Sequence, residues 1–259
     1  MRAPAGDVRA RIRLRGRVAM IRGCKVVRVA GALGLALIAG AAQGAERLGV
    51  LPIDPAEVSV AGISSGAFMA NQVHVAHSAG VMGAALIAGG LYACAVQDVT
   101  SDGVLALASA IGPCMKAPFI LDDVAAYKKF VQDLAAKGWN LARARLYIFT
   151  GGSDAVVNSA TVEKARDLYL ALGVPRANVV FEDRSGPAGH AGHSWVTKNF
   201  GGARSANAAP YINDCAYDQS EAELKAIYGP DLKSAAPTAT GRIAAFDQTE
   251  FVPDKRARS

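Results

Sequence analysis

The chain predicts an α/β layered fold built on a largely parallel sheet, and three observations carry that expectation. Short apolar or β-branched runs alternate with helically spaced segments along most of its length. Glycine and proline punctuate the junctions between them. One run, over 58–62, passes into a helical pattern through Gly62-Ile63-Ser64-Ser65-Gly66, a strand–turn–helix signature.

Residues 1–45 stand apart. Eight arginines and one lysine precede an apolar run over 29–42, which ends in small residues at Ala42-Gln43-Gly44-Ala45. This is the pattern of a secretory signal peptide, with Met20 as an alternative start, and residues 46–259 then form one domain. The apolar run is too short for a comfortable membrane span, so no integral membrane segment is expected after leader cleavage. The leader also accounts for the basic charge. It holds nine basic residues and one acidic residue, leaving 19 basic and 21 acidic in the remainder. That balance argues against a nucleic-acid partner.

The elements follow in order. After the first strand, residues 66–77 read as a helix and 81–88 as a buried strand broken by Gly89-Gly90. A short helix is expected over 103–111, stopped by Gly112-Pro113. Residues 122–137 carry acids in the first turn, Gly138 past the end, and apolar positions at helical spacing. Residues 145–150 form a strand and 158–172 a helix ended by Gly173 and Pro175. Another strand, 178–182, leads into a glycine-rich loop with His190 and His193. A helix over 219–228 and a last strand or hairpin over 241–251 complete the chain.

In open α/β sheets chemistry gathers at the C-terminal ends of strands, and three such ends carry Ser64, Asp154 and His193. Their chain order, Ser…Asp…His, is that of α/β-hydrolases. A serine hydroxyl is a weak nucleophile until an imidazole takes its proton, and the imidazole needs a carboxylate to fix its tautomer. Ser64 is the candidate nucleophile because flanking glycines let a sharp elbow form, side chains at either position being expected to clash. The amide of Ser65, at the helix N-terminus, is a candidate oxyanion donor. Asp183 competes with Asp154, and His190 with His193. The spacing His190-x-x-His193 lacks a nearby carboxylate or cysteine, so no metal is expected, and the chemistry calls for no cofactor. His74 and His77 are read as packed or solvent-facing. Trp195 is either the wall of a hydrophobic substrate-binding subsite or a core residue.

Cys94, Cys114 and Cys215 remain after the leader. Export favours disulfides, and Cys94–Cys114 closes a short loop near the expected site. Cys215 is left over, as a free thiol or one whose partner is absent.

The assembled motifs resemble the secreted esterase-type poly(3-hydroxybutyrate) depolymerases with a type 2 catalytic domain. The matching pieces are Gly62-Ile-Ser-Ser-Gly66 with Phe68-Met69-Ala70, then Ala88-Gly-Gly-Leu-Tyr-Ala-Cys94-Ala and Gly151-Gly-Ser-Asp154-x-Val-Val157. Gly192-His193-Ser194, Asn213-Asp-Cys215-Ala and Phe246-Asp-Gln248-x-x-Phe251 follow, so the likeness runs over residues 50–252. The resemblance implies an α/β-hydrolase-like domain that cleaves a hydrophobic polyester or ester substrate. Ser64 would be the nucleophile, Asp154 the orienting acid and His193 the base. A feruloyl-type or small-ester carboxylesterase is the alternative.

The family looks like a circularly permuted hydrolase whose C-terminal part supplies strands, a Tyr-Val-Pro…Cys stretch and a His-Gly-Cys segment with the second oxyanion donor. This chain ends at Asp254-Lys-Arg-Ala-Arg-Ser259 before either appears. The reading is therefore a C-terminally truncated member, with Cys215 unpaired, a sheet edge uncovered and an inactive fragment as one possible state.

Overall fold

The computed structural model describes residues 46–96, 108–116, 128–129, 131–132, 140–236, 238 and 240–251. The chain divides into two compact units, Met1–Arg47 with Phe246–Ser259, and Leu48–Ala245.

In the first unit, β1 (Glu46–Arg47) pairs in parallel with β8 (Phe246–Asp247). A 3₁₀ turn over Thr249–Phe251 lets Phe251 meet Phe246 edge to face. The strand or hairpin expected over 241–251 is therefore a two-residue strand and a turn.

The second unit is organised by a four-stranded parallel sheet, order β2 (Ser59–Ile63), β3 (Gly83–Ile87), β4 (Arg145–Phe149), β5 (Val179–Glu182). Parallel strands are covered on both faces and read as continuous apolar runs, and every residue of β3 is buried. Alternate side chains of β3 and β4 enter opposite cores. Ala84, Leu86, Leu146 and Ile148 join α1 (Ser65–Ala76) and α2 (Ser159–Ala171) on one face, with Leu168 and Tyr169 among the buried residues there. Ala85, Ile87, Tyr147 and Phe149 meet Ile227 of α3 (Gln219–Tyr228) on the other. Each large side chain fully buried in this way contributes about 1.5–3 kcal/mol. The result is a three-layer α/β/α sandwich with β2 and β5 at the sheet's edges, where Val180 of β5 stays exposed.

Local signals explain the helix limits. The Asn158 side chain accepts from the Ala160 amide and caps α2, and Gly173 beyond its end takes φ +97°. Asp218 caps α3 through the Glu221 amide, and Gly229 ends it.

Elsewhere the structure departs from the sequence reading. Residues 108–111 are helical, but Pro113 opens a further helical turn, Pro113–Lys116, instead of stopping the chain. Proline lacks only an N–H that a first turn leaves unpaired anyway. The remainder of the 103–111 helix, and most of the 122–137 helix, lie outside the described residues. Residues 128–129 and 131–132 are helical, and Val131 is buried. A second parallel pair, β6 (Trp195–Thr197) with β7 (Ile212–Asp214), has three residues per strand, too few to leave a periodic signal.

Candidate active site

The parallel register places the candidate residues on one edge of the sheet. Ile63, Ile87, Phe149 and Glu182 stand side by side as the last residues of β2 to β5. The chain beyond each is stitched to the next strand: the Ser64 amide donates to the Ile87 carbonyl, Ala88 to Phe149, and Thr150 to Glu182. The turns carrying Ser64 and Asp154 therefore leave strands two places apart, about 10 Å between backbones.

Ser64 has φ 55° and ψ −124°, a conformation that L residues rarely adopt. Its side chain makes no capping bond to α1, so the hydroxyl is not committed to the helix. The Phe68 amide bonds the Ser64 carbonyl, and Ser65 is the first residue of α1, with its N–H in the unpaired first turn. The flanking glycines are not equivalent. A Cβ on Gly62 would lie 2.3 Å from the Gly66 carbonyl carbon, whereas one on Gly66 would meet nothing within 4 Å. The expected clash on both sides thus exists only on the strand side, where elbow and helix backbones touch.

Asp154 lies in the turn after β4, its side chain wholly buried. One carboxylate oxygen accepts from the Val156 and Val157 amides at 2.8 and 2.9 Å. The other lies 2.9 Å from Nδ1 of His193, itself almost buried. With Asp154 accepting throughout, Nδ1 carries the proton and donates it, which leaves Nε2 as the basic nitrogen. Among the described residues the Ser64 hydroxyl makes no hydrogen bond.

The His193 loop is packed against the Asp154 turn. The Ser153 amide donates to the Ala191 carbonyl and the Gly152 amide to Gly189. A Cβ on Gly151 would sit 2.2 Å from the Ala191 carbonyl oxygen, so only glycine allows this approach. Two residues that the sequence reading missed complete the surroundings. Asn207 bonds the backbone of both loops, and the exposed Tyr211 sets its ring edge-on to His193 at 5.7 Å. Neither lies in a recognisable motif; the Pro210-Tyr211 pair, a turn signal, was the nearest available hint.

The competing residues fall elsewhere. Asp183 turns its carboxylate onto Ser185, whose hydroxyl and amide hold it below the usual carboxylate range. His190 and His77 are exposed. His74 is buried on α1, its Nδ1 2.9 Å from the Tyr169 hydroxyl, which donates onward to Asn71. Burial pushes the His74 imidazole down to about 4.

Beside Ser64 opens a cavity of about 540 Å³, lined by Phe68, Met69, Leu91, Ile111 and Met115 among others. The Cys94–Cys114 disulfide forms part of its wall. Met69 and Ile111 are exposed. Trp195 does not line it. The indole packs against the Val196–Cys215 cluster and donates from Nε1 to the Ser220 hydroxyl, so the apolar wall comes from α1 and the disulfide region instead. Cys215 is a buried free thiol, raised by desolvation.

No protein-family model matches the chain. It is 34% identical over 215 residues to the poly(3-hydroxybutyrate) depolymerase of Delftia acidovorans, covering 82% of this chain and 42% of that one. It is 32% identical over 218 residues to the polyhydroxybutyrate depolymerase of Talaromyces funiculosus, covering 81% and 59%. The chain thus spans about half the length of these relatives. The fold matches the crystal structure of a PHB depolymerase from Penicillium funiculosum, with TM-score 0.62, 27% identity and coverage of 78% of this chain and 61% of that one. It equally matches a serine-to-alanine variant of a PHB depolymerase complexed with an R3HB trimer, with TM-score 0.64, 25% identity and the same coverage.

Parallel sheet, flanking helices and elbow make this an α/β-hydrolase-like protein. Within that class the chain is a homologue of the poly(3-hydroxybutyrate) depolymerases. Among the described residues no helix is long and apolar enough to cross a membrane.

Proposed function

We propose that this chain is a secreted serine hydrolase that cleaves ester bonds of poly(3-hydroxybutyrate) or its oligomers. The observation that carries the reading is the buried Asp154–His193 pair on the sheet edge that also presents the Ser64 elbow. The homologues' names supply the substrate class, and the 540 Å³ apolar cavity beside Ser64 supports it. The basic, then apolar leader over 1–45 supports export.

In the proposed reaction Ser64 Oγ attacks the ester carbonyl as Nε2 of His193 takes the hydroxyl proton. Asp154 keeps the opposite nitrogen protonated and stabilises the imidazolium. The Ser65 amide donates to the oxyanion, a contribution typically worth about 3 kcal/mol of transition-state stabilisation. Collapse breaks the ester C–O bond, and the imidazolium gives its proton to the departing 3-hydroxyl group. Water, deprotonated by Nε2, then releases the acyl group as a carboxylate. The apolar cavity takes part of the polyester chain, with Met69 and Ile111 at its rim.

A fluorophosphonate probe and a turbid poly(3-hydroxybutyrate) suspension test this together. The expected result is labelling and clearing by the wild type and neither by Ser64→Ala. No labelling of Ser64 would sink the hydrolase reading. Labelling without clearing, joined to fast hydrolysis of short aryl esters, would move the substrate to small esters.

A further inference from the structure

Asn207 lies between β6 and β7, outside every motif that marked the site. Its side-chain oxygen accepts from the His193 amide at 2.8 Å and from the Ala155 amide at 2.9 Å. Its nitrogen donates to the Ser153 carbonyl at 2.9 Å and the Ser205 carbonyl at 3.1 Å. Two donors and two acceptors exhaust what a primary amide can offer. The orientation is also unambiguous, since a flipped amide would set donors against two N–H groups and its oxygen against two carbonyls.

The three distant partners are the two residues that bracket Asp154 and the backbone of His193. One planar group therefore spans the carboxylate turn and the imidazole loop, next to the 2.9 Å contact between their side chains. The Asn207 segment is itself anchored. Asn213 on β7 donates from its side chain to the Arg204 and Ala206 carbonyls, and the Gly192 amide donates to Arg204. Asn213 and Gln219 are buried, and Gln219 accepts from the Val196 amide beyond His193. The frame around the imidazole thus runs through amide side chains, which hold the same charge at any working pH.

We propose that Asn207 is a positioning residue that sets the distance and alignment of the Asp154 carboxylate and the His193 imidazole. This rests on the serine-hydrolase reading of Ser64, Asp154 and His193. Misplacing a catalytic group by about 1 Å costs about 100-fold in rate, so the effect falls on turnover and spares substrate affinity.

The test compares Asn207→Ala and Asn207→Asp with the wild type. The aspartate keeps both acceptor contacts but loses the donors to Ser153 and Ser205. Hydrolysis of p-nitrophenyl butyrate gives kcat and KM, and proton NMR follows the low-field Nδ1–H resonance, assigned by its loss in His193→Ala. We expect kcat down about 100-fold in Asn207→Ala and about tenfold in Asn207→Asp, with KM within about threefold. The low-field resonance should move upfield or vanish in Asn207→Ala. A folded Asn207→Ala with wild-type kcat and an unmoved resonance would overturn the proposal. Loss of folding in both variants would overturn it too, by making Asn207 a residue of the fold alone. Should the wild type hydrolyse no ester, the functional reading fails, while the resonance still decides whether Asn207 aligns the pair.

Discussion

Gly62 needs the absence of a side chain and Gly66 does not: a Cβ at Gly62 would press to 2.3 Å of the Gly66 carbonyl carbon, while the reverse position faces open space. The elbow is therefore a one-sided steric device, in which the strand end passes beneath the first turn of α1 and lifts Ser64 into its strained conformation. Gly62→Ala should cost at least about 2 kcal/mol, since backbone cannot yield as a flexible side chain can. Gly66→Ala should stay within about 1 kcal/mol. Urea midpoints measure both, and fluorophosphonate labelling should be lost only in Gly62→Ala.

Replacing Asp154 by Asn separates orientation from fold. The amide oxygen can still accept from the Val156 and Val157 N–H groups, so the turn should persist. The amide nitrogen, however, offers a donor to His193 Nδ1 and favours the tautomer with Nε2 protonated. Nε2 then cannot take the serine proton. The corresponding change in the Ser-His-Asp proteases costs about 10⁴ in kcat, and a drop of that order with little change in KM is expected for short esters. A loss under tenfold would count against the assigned role.

Two buried groups give stability opposite pH dependences. The Glu223 carboxyl is buried on α3, its Oε2 unpartnered, and desolvation raises it from 4.5 to about 7. Burial favours the neutral form of this group, so the stability it contributes is present below pH 4.5 and lost as pH rises through 7. Burial lowers His74 from 6.5 to about 4, so its share is intact above 6.5 and lost as pH falls toward 4. Glu223→Gln should thus stabilise the protein by about 2–3 kcal/mol more at pH 8 than at pH 4. His74→Gln should flatten the acid limb between 6.5 and 4. Denaturant titrations of both variants at the two pH extremes check the signs. An equal effect of Glu223→Gln at both pH values would refute the first.

The Cys94–Cys114 disulfide joins residues 20 apart in sequence and walls the apolar cavity. Closing a loop of this length restrains the unfolded chain by about 3 kcal/mol. The double variant Cys94→Ser/Cys114→Ser should lose stability of that order. With the wall loosened, KM for a hydrophobic aryl ester should rise more than kcat falls. Steady-state kinetics on butyrate and acetate esters would register the change, largest for the longer chain.

The sequence by itself determined the parallel sheet and the elbow, because both leave local marks. Buried parallel strands must be continuously apolar, as in residues 83–87 and 146–149, and the turn must hold glycine at 62. It also offered Ser64, Asp154 and His193 as candidates, since each follows a strand and parallel strands deliver their ends to one edge. Only the tertiary structure decided which neighbours surround them. Asp154 and His193 meet across 39 residues because Gly151 lets one loop lie against the other. Asn207 and Tyr211 reach His193 through β6 and β7, strands too short to show any period. Trp195, attractive as a large apolar residue beside His193, instead packs with the Val196–Cys215 cluster. Periodicity records which face of an element is buried, but not which element comes to rest against it, and that choice belongs to packing over the whole chain.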